Sequence, residues 1–233
     1  MQRGMVYLVR HGQAGKRTKY DELSALGREQ ARQLGRYLAN AGLQFAFVVS
    51  GELERQKETA NIVATELGAK DVSGDSRWNE FDLDEVYRGI GPQLARDDGQ
   101  FAVEYAALLA EAEKEDSHVH RQWTPCDVAV FRNWCEGTYP FEGESFAQFR
   151  GRVRAAAESL KEMPKPAVVF TSATPIGLTM GEASGLSEMD GMQFAGKMWN
   201  AAWTEMETED AGLRVVSFNN VPHLEDRGLL TKR

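Results

Sequence analysis

Three short polar segments each follow an apolar run, and together they carry the groups that bind a phosphate dianion. Arg10-His11-Gly12-Gln13 follows the first run, Ser50-Gly51 leads to Arg55 after the second, and Thr171-Ser172 follows the third. A guanidinium fork matches two phosphate oxygens at once, and a helix N-terminus offers N–H groups to an anion. These segments predict a positively charged pocket in a protein whose net charge is −8.

His11 is the residue of this set that can attack phosphorus. An imidazole is a competent nucleophile when one ring nitrogen is held by a hydrogen bond and the other faces the ligand. Gly12 beside it allows a close approach of the backbone. The alternative is a buried histidine that only satisfies a carbonyl group at a strand end, and the Arg-His-Gly context after a strand favours the nucleophile.

Hydrophobic spacing predicts the elements that bring the segments together. Residues 5–9, 45–49 and 167–170 are compact apolar runs, typical of strands buried on both faces. Helical spacing follows the first two runs, from a Ser24 N-cap onward and over Glu54–Leu67. This alternation predicts right-handed βαβ crossovers and a parallel sheet, in which ligands bind outside the carboxyl ends of the strands.

The second half of the chain predicts further elements of the same domain. A helix begins at a capping box formed by Ser145 and Gln148, and another has Pro175 in its first turn. Residues 202–207 and 213–218 are strand-like and complete the sheet.

A polar stretch between these two halves predicts an insertion. Residues 81–143 contain an Ala-rich helix at 103–112 and several Trp, Pro and Gly breaks. We interpret this stretch as a cap within a single domain of residues 1–233. The predicted fold class is α/β: a three-layer α/β/α sandwich with a mostly parallel central sheet and a helical insertion capping the site.

Composition and charge argue against several other classes of protein. Asp and Glu number 35 against 27 Lys and Arg, without a long basic run, so neither nucleic acid nor an anionic membrane is an expected partner. No apolar run approaches the roughly 20 residues of a membrane helix, and none is long enough for a signal peptide. Cys126 and Cys135 can build neither a disulfide framework nor a four-ligand zinc site. We expect a cytoplasmic protein with two reduced thiols.

Four segments resemble the motifs of a known family. Leu8-Val9-Arg10-His11-Gly12-Gln13 resembles the signature of the histidine phosphatase superfamily, which also contains the cofactor-dependent phosphoglycerate mutases. Residues 50–60, a strand end followed by an arginine and then Thr-Ala, resemble its second motif. Trp78-Asn79-Glu80-Phe81 is similar to the segment with its acidic residue, and Gly143-Glu144-Ser145 to the start of the helix after the insertion. The resemblance extends from residue 6 to about residue 176.

The resemblance implies a phosphoglycerate mutase-like fold and a ping-pong phosphotransfer that needs no metal and no cofactor. His11 would form a phosphohistidine, and Glu80 would protonate the leaving alkoxide and then activate water. The alternative for Glu80 is a solvated carboxylate in an acidic run with Asp82, Asp84 and Glu85. The residues implied or expected to hold the phosphate are Arg10, Gly12, Gln13, Arg55, Thr171 and Ser172.

One position departs from the family pattern. The family usually has a second histidine where this chain has Ser172. A serine donates one hydrogen bond but brings no charge, and loss of such a donor typically costs on the order of 10²–10³ in rate. The enzyme is then slow, or another group substitutes, or catalysis is lost. His223 is a candidate substitute, although a hydrogen-bonded structural histidine is the favoured interpretation.

The leading hypothesis is a phosphomonoesterase that acts on a small phosphorylated metabolite. A mutase is the first alternative: the length of 233 residues suits it, but residues 14–21 are short and lack the Trp-containing motif of the mutases. A protein that binds phosphate ion or a phosphoester without hydrolysing it is the second alternative, because of Ser172. His118 and His120, in a charged part of the insertion, are interpreted as solvated side chains and not as metal ligands.

Overall fold

The computed structural model describes residues 4–15, 21–69, 71–114, 124–210 and 212–232. The chain forms two compact units. The first contains Met1–Glu80 and Arg152–Arg233, and the second contains Phe81–Gly151. That the second unit caps the site stays a prediction.

The first unit contains a mixed six-stranded sheet with the order β3-β2-β4-β1-β5-β6. Its strands are β1 Met5–Arg10, β2 Phe47–Ser50, β3 Ser73–Gly74, β4 Ala167–Thr171, β5 Trp203–Glu209 and β6 Gly212–Asn220. Strands β1 to β4 are parallel to their neighbours among themselves, whereas β5 is antiparallel to β1 and β6 to β5. The predicted α/β class with a mostly parallel sheet is confirmed. The two residues of β3 were not predicted, because so short a strand has no sequence period.

The sequence predicted four of the five described helices that have residues in the first unit, and the helix at residues 188–195 was not predicted. These helices are α1 Ala25–Asn40, α2 Glu54–Leu67, α6 Phe146–Ser159, α7 Ala173–Ala183 and α8 Glu188–Ala195. Ser24 caps α1 by accepting a hydrogen bond from the Gly27 N–H at 2.9 Å. Helix α2 has the predicted bounds, and Gly68 ends it with φ of +66°. Helix α6 begins in the second unit at the predicted Ser145–Gln148 capping box.

Strands β1, β2 and β4 are buried on both faces apart from the first residues of β1 and β2, as the continuous apolar runs predicted. On one face, alternate strand residues pack with the apolar side chains of α1 and α2; this cluster contains Tyr7, Val9, Ala31, Leu34, Leu38, Val48, Ala60, Val63, Val168, Phe170 and Trp203. The intervening residues Val6 and Leu8 of β1 are also fully buried. Burial on both faces leaves the ends of the central strands as the places where polar chemistry can reach solvent.

The second unit is helical around an aromatic core. It holds α3 Leu83–Asp97, α4 Gly99–Ala112 and α5 Pro125–Glu136. Phe81 and Trp134 rings lie 4.6 Å apart at its centre. The Asp82 carboxylate accepts from the Glu85 N–H at 2.9 Å, so the acidic run after Glu80 forms the first turn of α3, where negative charge is favourable. Only α4 of these three helices was predicted.

Two further predictions concern the chain as a whole. Cys126 and Cys135 are free thiols, and burial raises the pKa of Cys135 to about 12. Among the helices in the described ranges, none is both long and apolar enough to cross a membrane.

Candidate active site

Strand register brings the three predicted segments to one edge of the sheet. Arg10 of β1 pairs with Thr171 of β4, and Ser50 of β2 pairs with Phe170 of β4, so the three carboxyl ends are level. The pairing continues beyond β1, because the His11 N–H donates to the Thr171 carbonyl at 2.9 Å. His11 therefore has a fixed backbone position between two neighbouring chain segments.

The hydrogen bonds of His11 define its protonation. Its Nδ1 lies 2.7 Å from the Gly12 carbonyl oxygen, which only accepts, so Nδ1 carries the ring proton. Its Nε2 lies 3.3 Å from Nε of Arg55, which only donates, so Nε2 has a lone pair. Burial, followed by the positive charges of Arg55 and Arg10, holds the pKa of His11 well below its usual range. The neutral ring has an unprotonated Nε2, which is the state that a nucleophilic imidazole needs.

Arg10 and Arg55 are both buried charges at this edge. Arg10 is the last residue of β1 and donates to the Met198 carbonyl. Arg55 lies in the first turn of α2 and pairs through Nη1 with the Asp21 carboxylate at 2.8 Å. Two buried guanidinium groups next to a neutral imidazole suit a bound dianion.

Gly12 and Gln13 anchor this loop to α1 and α2. The Gly12 N–H donates to Oγ1 of Thr59 at 3.1 Å, and the Gln13 N–H donates to Oε1 of Gln30 at 2.8 Å. A Cβ on Gly12 would lie 2.4 Å from the backbone oxygen of Gly27. The close approach expected at Gly12 is made by the backbone of α1. Contact of either residue with phosphate stays a prediction.

Gly12→Ala is expected to destabilise the fold and reduce activity together. The added methyl group meets backbone atoms of α1, and overpacking of this kind typically costs about 1–3 kcal/mol. Urea unfolding measures the free energy of unfolding, and Gly151→Ala is the matched control. Gly151 is a helical position with nothing within 4 Å of its Cβ, so its variant should be neutral or slightly more stable. Equal stability of the two variants would contradict the steric argument.

Glu80 and Ser172 meet at the N-terminus of α7. Ser172 is the N-cap residue of this helix, and its Oγ accepts from Nε2 of Gln56 at 2.9 Å. The Thr174 N–H donates to Oε2 of Glu80 at 3.2 Å. The Thr171 hydroxyl donates to the Trp78 carbonyl at 2.5 Å, which ties β4 to the turn before Glu80. The predicted acid and the predicted phosphate donor are thus held at one helix end.

The imidazole ring of His223 makes no hydrogen bond within the described part of the chain. This ring stacks on Trp203 at 5.5 Å and lies 6.4 Å from the ring of Tyr37, and the residue is 6% exposed. Neither ring nitrogen has a partner there. The favoured interpretation as a structural residue agrees with this packing, but the expected hydrogen bonds are wrong. The structure gives no support to His223 as a substitute for the second histidine.

His223 is expected to make stability depend on pH. Burial lowers its pKa to about 4, against about 6.5 in the unfolded chain. The unfolded chain therefore takes up this proton first as the pH falls. The free energy of unfolding decreases by about 2 kcal/mol between pH 7 and pH 5 for this reason. His223→Phe should remove that part of the loss, measured by urea unfolding at both pH values. An unchanged pH dependence would show that the ring is protonated alike in both states.

The structure also reveals residues that the motif analysis missed. The predicted site segments are held by side-chain hydrogen bonds from four residues: Gln30, Gln56, Thr59 and Asp21. Gln56 directly follows Arg55 in the second motif, and this adjacency was the one available signal. Within the described ranges, no three His, Cys, Asp or Glu side chains are placed to hold a metal ion, and His118 and His120 lie outside those ranges.

Comparison with known proteins relates the chain to phosphatases and phosphoglycerate mutases. Residues 6–123 and 103–221 match the sequence model of the histidine phosphatase superfamily (branch 1). The chain is 40% identical over 128 residues to a Caenorhabditis briggsae protein named serine/threonine-protein phosphatase Pgam5, mitochondrial, a match that covers 48% of this chain and 44% of the relative. It is 29% identical over 167 residues to an Escherichia coli protein named probable phosphoglycerate mutase GpmB, covering 69% of this chain and 64% of that one. The chain thus spans less than two thirds of the length of these relatives.

A solved structure shows the same fold. A mycobacterial glucosyl-3-phosphoglycerate phosphatase in complex with VO3 superposes with a TM-score of 0.59 at 24% identity, covering 92% of this chain and 98% of that one. The likeness extends over nearly the whole of both chains.

Proposed function

Because this chain belongs to the histidine phosphatase superfamily, we propose that it is a phosphomonoester hydrolase that works through a phosphohistidine on His11. The state of the His11 ring carries the proposal. Its Nδ1 proton is donated to the Gly12 carbonyl, its Nε2 lone pair faces Nε of Arg55, and the positive charges of Arg55 and Arg10 both act on the ring. A histidine that only satisfied a carbonyl group would not need one guanidinium at its other nitrogen and the positive charge of a second acting on its ring.

In the first step, Nε2 of His11 attacks phosphorus in line with the leaving oxygen. Nε of Arg55 exchanges its hydrogen bond to Nε2 of His11 for one to a phosphoryl oxygen. This exchange releases the lone pair of Nε2 for attack. Arg10 and Arg55 neutralise the equatorial oxygens, because phosphoryl transfer depends mainly on positioning and on charge stabilisation. The N–P bond forms as the P–O bond breaks, and Glu80 gives its proton to the departing alkoxide.

In the second step, water hydrolyses the phosphohistidine. Glu80, now a carboxylate, accepts the proton of the attacking water, and the N–P bond breaks to return the neutral ring. The hydrogen bond from Nδ1 to the Gly12 carbonyl stabilises the ring throughout, because it favours the positive charge that the phosphorylated ring carries. No step of the proposal uses a metal or a cofactor.

The proposed substrate is a small phosphorylated metabolite, and phosphate ion is the product that occupies the same pocket. The positively charged groups at the strand ends are few and buried, which suits a single phosphoryl group. We place the protein in the cytoplasm on account of its two free thiols.

Hydrolysis of an aryl phosphate from pH 5 to pH 8, with a chelator present, tests the proposal. We expect activity that survives chelation and that does not fall as the pH is lowered from 7 through 6.5, because the ring of His11 stays unprotonated there. Activity that needs added metal would contradict the mechanism. Binding of phosphate without hydrolysis of any member of a phosphoester panel would favour the non-catalytic alternative.

Phosphoglycerate mutase activity is the second candidate, favoured by the likeness to the probable mutase from Escherichia coli. The test is interconversion of 2- and 3-phosphoglycerate by the pure protein, with a catalytic bisphosphate as primer. Interconversion faster than hydrolysis would reverse the order of the two candidates.

A further inference from the structure

The side chain of Gln56 contacts Ser172 and is fully buried. Its Nε2 donates to Oγ of Ser172 at 2.9 Å and to the Trp78 carbonyl at 3.2 Å, and its Oε1 accepts from the Leu53 N–H at 3.3 Å. A carbonyl oxygen only accepts and an N–H only donates, so these contacts fix which end of the amide faces Ser172. Gln56 presents a donor to the serine hydroxyl.

The hydroxyl of Ser172 is not used to cap its own helix. An N-cap serine usually accepts from the N–H of the second or third helical residue. The third residue of α7 is Pro175, which has no N–H, and the N–H of the second, Thr174, goes to Glu80. Ser172 makes no such cap bond. Its oxygen accepts from Gln56 instead, and its own hydrogen is left to be donated elsewhere.

The side-chain amide of Gln56 fits only because residue 51 is a glycine. A Cβ on Gly51 would lie 2.0 Å from Oε1 of Gln56 and 2.9 Å from Oδ1 of Asn79. Asn79 in turn accepts from the Glu52 N–H at 2.6 Å. The amide is therefore held between α2, the turn before Glu80 and the end of β2, with little freedom to rotate.

We propose that Gln56 is a positioning residue that makes Ser172 an oriented hydrogen-bond donor to the phosphoryl group. The inference rests on the proposed function. A lone hydroxyl can donate in several directions, but one whose lone pair is filled by a fixed amide N–H turns its hydrogen away from that amide. Gln56 follows Arg55 on α2, so the same turn of helix supplies the phosphate clamp and the group that orients the serine.

A Ser172 hydroxyl oriented by Gln56 would partly replace the second histidine that this chain lacks. The donor at this position is neutral, so it contributes direction without charge. We expect Ser172→Ala to lower kcat about 10- to 100-fold, somewhat less than the loss usual for a donor to a developing anion. KM should change less than kcat, because the arginines bind the ground state without this donor.

A double-mutant cycle tests the coupling between the two residues. Gln56→Met keeps the length of the side chain and removes the donor, and it is combined with Ser172→Ala. The readouts are kcat for an aryl phosphate and the affinity for vanadate by titration calorimetry. We expect Gln56→Met to lower both about tenfold when Ser172 is present, and to change neither when residue 172 is alanine. Equal losses in both backgrounds, or no loss beside Ser172, would overturn the proposal.

A second variant reverses the polarity of the contact. Gln56→Glu keeps the shape and offers an acceptor, which turns the serine hydrogen toward residue 56; we expect a larger loss of vanadate affinity than with Gln56→Met when Ser172 is present. The difference between the two losses of vanadate affinity should be smaller when residue 172 is alanine. An effect of the added charge alone would be the same with serine and with alanine at residue 172. If Gln56→Met fails to fold, Gln56→Glu takes its place in the cycle, and equal losses of vanadate affinity with Ser172 and with alanine at residue 172 overturn the proposal.

The vanadate readout separates this inference from the proposed function. Coupled losses of vanadate affinity in a protein that hydrolyses no phosphoester would support the oriented donor and reject the hydrolase. A protein that binds no vanadate at all would reject both.

Discussion

His11→Ala is expected to abolish turnover, by at least about 10⁴-fold, while vanadate and phosphate still bind. The variant loses the only group proposed to bond to phosphorus. The two guanidinium groups remain, and Nε of Arg55 loses the lone pair to which it donates in the unaltered protein. Affinity for the dianion should therefore be unchanged or higher. Loss of turnover with retained binding distinguishes a missing nucleophile from a damaged pocket.

Two measurements make this test specific. Rapid quench with radiolabelled substrate should trap an acid-labile, base-stable phosphoenzyme in the unaltered protein and none in the variant. His223→Phe is the matched control, because His223 is also a buried histidine with a lowered pKa, yet it has no role in the proposed chemistry. It should keep full turnover. Turnover by His11→Ala at an appreciable fraction of the normal rate would remove the nucleophile assignment.

The meeting of Arg10, Ser50 and Thr171 at one edge of the sheet followed from the sequence, because it depends on where strands end. A run such as residues 5–9 is apolar on both faces, so its end is marked by the first polar residues, here Arg10 and His11. Parallel strands place such ends at one edge whatever their order in the sheet. The bounds of α2 followed for a similar local reason, since Gly68 ends the helix in the left-handed conformation.

The side-chain network behind the site could not be predicted in this way. Gln56 and Ser172 are 116 positions apart, and their contact depends on the packing of α2 against the start of α7. Nothing in local spacing distinguishes a buried glutamine of an amphipathic helix from an exposed one. His223 is similar, because only the packing of Trp203 and Tyr37 around it removes its hydrogen-bond partners.

The second unit was predicted least well, because its helices are organised by aromatic contacts. Helix α5 has its Thr124–Asp127 capping box and begins with Pro125, signals that are readable in the sequence. Its apolar residues include Phe131 and Trp134, whose spacing of three fits a helix face, but the surrounding Trp, Gly and Pro residues favoured an irregular stretch. The core of this unit is formed by aromatic contacts, whereas the core around the sheet is formed by alternating apolar strands and amphipathic helices. The alternation that predicted the first core therefore does not predict the second.

Glu80→Gln is expected to produce the second largest effect, and one that depends on the leaving group. An acid that protonates the leaving oxygen contributes about 10²–10⁴-fold, so hydrolysis of alkyl phosphates should fall by that factor. A nitrophenolate leaves without a proton, so phosphorylation of His11 by an aryl phosphate should remain fast. The glutamine oxygen can still accept from the Thr174 N–H, which preserves the N-terminus of α7.

The kinetic signature of Glu80→Gln with an aryl phosphate is a burst. One equivalent of phenolate should appear quickly, followed by slow turnover, because the same carboxylate is proposed to activate water for the second step. Asp84→Asn is the matched control: it removes one negative charge from the acidic run at an exposed position of α3, and its rates should equal those of the unaltered protein. Glu80 belongs to the chemistry only if its variant differs from this control in both respects, a loss that grows with the basicity of the leaving group and a phosphoenzyme that accumulates. If Glu80→Gln and Asp84→Asn behave alike, the carboxylate of Glu80 serves only as a cap for α7.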